Sequence, residues 1–283
     1  MSNETMARNF LATPYVPAVR RVDSPPEFQR TLATAVAQWE DLAPQIFEWI
    51  VQNPDQAHQL AFALDFVGKT IYKPVEEDYD DGLIARTGIR ADGSPSDQKL
   101  FYHYRPALNN IALNTSRVLP DKLLWPYYQF RGTTSQLYDC LHMIVERVAT
   151  ELMDQLYPEH WRDTPFWANM HHWLIHCLGS KLRFLYYAAA SAKQNAEVQN
   201  GEVAIGKAHT DQSFMTFHLY DNRPGLRFAG DSGSPWVVQS GQILVFPGDK
   251  SQKHLGIPAL EHWVTAPIDE VKGRVAVVYF AHV

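Results

Sequence analysis

The sequence predicts an α+β fold: a double-stranded β-helix, or jelly roll, over residues 180–283, with a mainly helical first part, residues 1–165, packed on its sheet. Three observations predict it. Apolar residues recur at helical spacing through much of the first half. The period changes to two from Lys181 onward, and the strand-rich end carries a His-x-Asp pair with further histidines, which many short strands would have to enclose. With 283 residues, 46% of them apolar, the chain can bury a large core, and its length allows one large domain or two small ones. A single domain over 1–283 is expected, because the turn-rich stretches read as loops rather than a domain boundary.

Ser24-Pro25-Pro26-Glu27 reads as a helix start, followed by Phe28, Leu32, Val36 and Trp39 at helical spacing, with Pro44 expected to break or restart the helix. A second helix is expected over Ala57 to Val67. The longest is expected from Ser135 to Tyr157, where Leu137, Leu141, Ile144, Val148, Leu152 and Leu156 form one apolar stripe against the outside of a sheet. Asp80-Asp81-Gly82 and Ala91 to Ser96 are rich in turn residues and read as loops.

In Lys181 to Tyr187, alternation places Leu182, Phe184 and Tyr186 on one face, suited to lie under the helices. Arg183, Leu185 and Tyr187 then look into the barrel. Trp236 to Phe246 and Arg274 to Phe280 read as further strands, bounded by turns at Ser240-Gly241 and Pro247-Gly248-Asp249.

Composition excludes several classes. The formal net charge is −6 and no basic run exceeds Arg20-Arg21, which argues against nucleic acid as a partner. No stretch approaches the length of a membrane span, and MSNETMARNF has no apolar signal core. Cys140 and Cys177 sit in apolar, helix-like surroundings, as reduced core thiols of a cytoplasmic protein would. His172 and His176 stand one helical turn apart, but the Glu of a zinc-protease motif is missing, so they read as packing residues. No Glu stands three residues before any His, which removes a helical di-iron site.

The chemistry concentrates at His209-Thr210-Asp211. On an extended segment these two side chains share a face and can bind one ion in adjacent positions, with a third ligand from a neighbouring strand, His254 or His262. Two imidazoles and one carboxylate take one face of an octahedral Fe(II) and leave the opposite positions for a bidentate organic acid, O2 or water.

The order KAHTDQSFMTFHLYDNRPGLRF, WVVQSGQILVFPGD, LEHWV and GRVAVVYF resembles the isopenicillin-N-synthase-like branch of the 2-oxoglutarate/Fe(II) dioxygenases. That family shows His-Thr-Asp, a strand with Thr, Pro-Gly-Leu, Trp before a strand, Gly-Asp, His-x-Val and Arg-x-Ser before a final Phe. LRFLYY (Leu182 to Tyr187) looks like its Leu-Arg-x-Asn-Tyr-Tyr strand. The resemblance selects His262, which precedes Trp263-Val264 and stands before Arg274 at the family's distance, as the third ligand. His254 falls where the family has a turn. Halogenating relatives replace the carboxylate by Gly or Ala, so Asp211 points to hydroxylation, desaturation or oxidative ring closure.

The resemblance further implies that Arg274 holds the distal carboxylate of 2-oxoglutarate, through two parallel hydrogen bonds from a planar guanidinium, and that Tyr187 assists. Two positions depart from the family: Ala276 stands where it has Ser and Leu185 where it has Asn. These departures keep open an oxidase or cyclase of the isopenicillin N synthase type, which uses no 2-oxoglutarate, and a non-catalytic jelly-roll binding protein.

For the small-molecule substrate, Lys99 to Pro106 resembles the aromatic stretch that crosses the family's active-site mouth, with Tyr102 where relatives place a ring against substrate. Phe214 is expected to line the same cavity. Arg183, a cation facing into the barrel, needs an anion, from the substrate or from an internal acid. The chain ends just after its final strand, where relatives continue into a helix. Cover for the site is therefore expected from the first half, such as the Tyr79 to Asp97 loop, or from a second subunit.

Overall fold

The computed structural model describes residues 19–53, 82–86, 99–105, 119–156, 180–188, 198–199, 202–230, 234–267 and 273–282. In chain order the elements are β1 (Arg20–Asp23), α1 (Pro26–Gln52), β2 (Gly82–Arg86), β3 (Lys99–Tyr104), α2 (Asp121–Leu156), β4 (Lys181–Tyr187), β5 (Val198–Gln199) and β6 (Glu202–His209). They continue with β7 (Met215–Asp221), β8 (Leu226–Phe228), β9 (Gln242–Pro247), α3 (Asp249–Leu255), β10 (His262–Pro267) and β11 (Arg274–Ala281).

Helix α1 starts with Pro26 in its first turn, where a missing N–H costs nothing, and Glu27 beside it. Contrary to the sequence expectation, it continues without interruption through Pro44. A proline inside a helix costs about 3 kcal/mol. Leu42, Ala43, Ile46 and Phe47 around it are all buried, and each large apolar side chain recovers about 1.5–3 kcal/mol, so packing holds the helix together. Helix α2 begins at Asp121 rather than Ser135. Its buried stripe extends upstream through Phe130, Tyr127 and Leu123, and the predicted members Leu137 to Leu152 are buried as expected. The predicted helix at Ala57 to Val67, Tyr157, His172, His176 and Cys177 lie outside the described residues. Cys140 is a free, half-buried thiol on α2. None of the described helices is long and apolar enough to cross a membrane.

The strands form two antiparallel sheets, a larger one in the order β1-β9-β7-β11-β4-β3-β2 and a smaller one in the order β5-β6-β10-β8. Among the described residues of the first part, the two long helices are accompanied by β1, β2 and β3, which extend the larger sheet. Gly82 opens a strand inside what reads as a loop, and Lys99 to Tyr104 is a sheet strand rather than a crossing segment. The Trp236 to Phe246 segment splits at Gly241, whose φ of +80° makes the turn. Trp236 forms only a bridge to Leu226 before β9 begins.

The faces of β4 agree with the alternation. Leu182 and Phe184 join the core beneath α1 and α2, and Tyr186 packs against it. Trp39 of α1 closes this layer, stacking on Phe130 at 5.0 Å and donating Nε1–H to the Leu185 carbonyl at 3.2 Å. Leu185 and Tyr187 enter a second cluster, between the sheets, with Ile205, Val264, Ala276 and Phe280.

One irregularity matters for the site. The β7–β11 register shifts between Val277 and Val278, so Leu219 and Tyr220 both turn outward, and the Tyr220 hydroxyl donates to Glu40 at 3.1 Å. The extra residue brings Asp221, opposite Ala276, onto the same inward face as His218, opposite Val278.

Candidate metal centre

His209, at the end of β6, and His262, at the start of β10, are register partners in the smaller sheet. Their rings lie 4.5 Å apart between centroids. Asp211 arrives from the loop after β6, so that one ligand atom from each residue lies within 4.8 Å of the others, the arrangement of a candidate metal site. His209 Nε2 is 3.6 Å from Asp211 Oδ1, and His262 Nε2 is 3.6 Å from Asp211 Oδ2. Metal–ligand bonds of about 2.1 Å at right angles need ligand atoms about 3 Å apart, so small side-chain rotations close the site.

Neighbouring groups orient each ligand. His209 Nδ1 donates to the Lys207 carbonyl at 2.7 Å and His262 Nδ1 to the Leu260 carbonyl at 3.2 Å, which leaves both Nε2 atoms available to a metal. The Thr216 hydroxyl donates to Asp211 Oδ2 at 2.6 Å and is itself within 2.9 Å of the Ser213 hydroxyl. Phe246 sets its edge against the His262 ring at 5.0 Å. His209 is half-exposed, whereas Asp211 and His262 are buried.

The electrostatics suit a cation. Burial pushes the Asp211 carboxyl up, but His209, His262 and Thr216 outweigh it and hold the group below the usual carboxylate range. The hydrogen bond to Asp211 raises His209, and burial lowers His262. The donor set of two imidazoles and a carboxylate fits Fe(II).

The ligand loop is stitched to the start of α3. Asp249 N–H donates to the Asp211 carbonyl at 2.7 Å and Lys250 N–H to the Ser213 carbonyl at 3.1 Å. A side chain at Gly248 would place Cβ 2.3 Å from the Ser213 carbonyl oxygen and 2.6 Å from that of Asp211, so only glycine allows this approach. His254 sits exposed on α3 and is not part of the ligand cluster.

Arg274 begins β11 opposite Tyr187, and its guanidinium lies 5.7 Å from the centre of the Tyr187 ring. It is buried and forms an ion pair with Asp221, a partner that sequence reasoning missed because the bulge decides where Asp221 points. Arg274 Nε has no hydrogen-bond partner, and neither does His218 Nε2. Arg183 faces the same interior. Its Nε donates to His103 Nε2 at 2.6 Å, and its guanidinium lies 4.6 Å from the Phe280 ring centre and 5.2 Å from that of Phe101.

Two expected substrate residues lie elsewhere. Tyr102 pairs with outward-facing Phe184 and packs among Trp39, Tyr127 and Phe130, so on β3 it is Phe101 and His103 that look inward. Phe214 is buried in the main core, and its carbonyl accepts from Gly248 N–H and the Ser251 hydroxyl. The alternation in Lys99 to Arg105 carries the signal for β3: Leu100, Tyr102 and Tyr104 form one face and Phe101 and His103 the other.

No protein-family profile and no curated protein sequence matches this chain. Solved structures do. A Neurospora crassa protein, solved at full length in complex with alpha-KG and 5-formyluracil, superimposes with a TM-score of 0.56 at 16% identity, covering 99% of this chain and 78% of that one. The dioxygenase for auxin oxidation from rice superimposes with a TM-score of 0.53 at 17% identity, covering 99% and 78%. Over nearly its whole length, and around a His-Asp-His cluster, the chain has the fold of the 2-oxoglutarate/Fe(II) oxygenases.

Proposed function

We propose that this chain is a 2-oxoglutarate-dependent Fe(II) dioxygenase that oxidises a small molecule by hydroxylation, desaturation or oxidative ring closure, releasing succinate and CO2. The observation that carries this reading is the convergence of His209, Asp211 and His262, with each imidazole Nδ1 tied to a backbone carbonyl and each Nε2 turned to the carboxylate. Fe(II) held by these three side chains supplies the activation of O2.

The remaining work belongs to the protein. Thr216 and the carbonyls of Lys207 and Leu260 hold the ligands in one orientation. Arg274, with its Nε unpartnered in the interior and Tyr187 beneath its guanidinium, anchors the distal carboxylate of 2-oxoglutarate. Leu185, Val264, Val278 and Phe280 make an apolar wall that excludes water. Arg183 presents a cation beside Phe280, whose strand neighbour Thr216 holds Asp211, so a substrate carboxylate on Arg183 sets a C–H bond near the metal. The Neurospora crassa protein crystallised with 5-formyluracil and the auxin-oxidising dioxygenase favour a small organic substrate.

The test needs no substrate: Fe(II)-loaded protein is supplied with 2-oxoglutarate and O2, and succinate is measured against O2 consumed. Slow uncoupled succinate formation supports the reading. The second reading, an oxidase that uses no 2-oxoglutarate, is favoured by Ala276, which offers no hydroxyl opposite Asp221. It predicts iron binding with no succinate formed. An iron-loaded protein that consumes no O2 with any candidate substrate is a binding protein.

A further inference from the structure

We infer that His218 is a second anchor for the distal carboxylate of the cosubstrate, supplying the hydrogen bond for which Ala276 has no hydroxyl. This rests on the 2-oxoglutarate reading above. Three observations converge on it.

His218 and Asp221 lie on the inward face of β7, opposite Val278 and Ala276, so His218 and Ala276 are diagonal neighbours across the β7–β11 pair. Diagonal neighbours in a sheet are about 7–8 Å apart, within reach of a histidine side chain. Second, Arg274 Nη2 and His218 Nε2 approach the same atom, Asp221 Oδ2, the imidazole nitrogen at 3.4 Å. Two nitrogen donors on separate strands thus already flank one carboxylate oxygen. Asp221 itself is pinned from its other side, where Oδ1 accepts the Arg223 N–H at 3.3 Å.

Third, Arg274 Nε is buried with no hydrogen-bond partner, and His218 Nε2, although 3.4 Å from Asp221 Oδ2, makes no well-formed hydrogen bond. Unpartnered buried nitrogens are uncommon in folded proteins and cost about 1–3 kcal/mol each. A purely structural position between Leu244 and Val278, its partners on β9 and β11, would be better filled by an apolar side chain. A carboxylate entering beside Asp221 satisfies both nitrogens at once. Asp221 neutralises part of the local charge, and with Arg274 alone the entering anion would meet a pair already balanced. His218 restores a net donor excess.

The test is calorimetric titration of the Mn(II)-loaded, full-length protein, without O2, with 2-oxoglutarate and with pyruvate, which has the same metal-binding end and no distal carboxylate. The wild type is expected to bind 2-oxoglutarate more tightly than pyruvate. His218→Phe should weaken 2-oxoglutarate roughly ten- to hundred-fold and leave pyruvate unchanged. His218→Gln, which keeps an N–H donor at similar reach, should retain most of the affinity, and adding Ala276→Ser to His218→Phe should restore part of it.

If the wild type binds 2-oxoglutarate no better than pyruvate, the cosubstrate reading fails and this inference with it. If the wild type discriminates but His218→Phe and His218→Gln both bind 2-oxoglutarate as it does, only the His218 assignment fails. Equal losses for both ligands in both variants also overturn it, because they mark a structural role.

Discussion

Arg274 and Asp221 form an ion pair inside the barrel, with side chains only 3% and 2% exposed. The cation that the sequence assigns to an incoming carboxylate is therefore already compensated by the protein. This changes what a substitution at Arg274 measures.

Arg274→Ala removes the guanidinium from the buried Asp221 carboxylate, leaving only His218 Nε2 and the Arg223 N–H beside it, and should lower stability by about 3–5 kcal/mol in urea unfolding. Combining it with Asp221→Asn should recover most of that stability without recovering 2-oxoglutarate binding. A double variant that binds 2-oxoglutarate as tightly as wild type shows that Arg274 is not the anchor. Tyr187→Phe removes one hydroxyl and should have a smaller effect, worth at most about 1.5–3 kcal/mol of binding if that hydroxyl bonds the carboxylate.

Iron content should separate ligands from bystanders. His209→Ala, Asp211→Ala and His262→Ala should each reduce bound Fe(II) and succinate formation to background, while His254→Ala, changed on exposed α3, keeps both. Thr216→Val removes the hydroxyl that holds Asp211 Oδ2 and should weaken metal binding about 10–100-fold. Iron retained by His262→Ala and lost by His254→Ala would reverse the assignment of the third ligand.

Gly248→Ala tests the stitching of the ligand loop. Its Cβ must displace the carbonyls of Asp211 and Ser213, so stability should fall by about 1–3 kcal/mol and metal affinity with it. Gly132, in mid-helix on α2, is a control of opposite sign: nothing lies within 4 Å of an added Cβ, and Gly132→Ala should raise stability by about 0.5–1 kcal/mol. An unaltered metal affinity in Gly248→Ala would mean that the loop tolerates the shift.

Arg183→Met keeps length and removes charge. It should raise the substrate concentration needed for coupled turnover while sparing uncoupled decarboxylation of 2-oxoglutarate, since Arg183 lies on β4 beside Phe280 and Arg274 begins β11. Equal loss of both activities in this variant places Arg183 in the fold rather than at the substrate.

The candidate ligand pair His209 and Asp211, the inward face of β4 and the α2 stripe from Leu137 to Leu152 were legible in the sequence, because each depends on a local period that the side chains must satisfy to bury apolar surface or to share a metal. His262 was separable from His254 by resemblance, and the register of β6 with β10 then set it opposite His209. Tertiary structure alone decided the rest. Packing of Ile46 and Phe47 carried α1 through Pro44, against the local rule. The parity of β3 turned Tyr102 toward the helices and His103 toward Arg183. One extra residue in β7 reversed the alternation after His218 and aimed Asp221 at Arg274. Periodicity is a property of a single segment, whereas register and bulges are set by the strand alongside, which here is β11, far away in the chain.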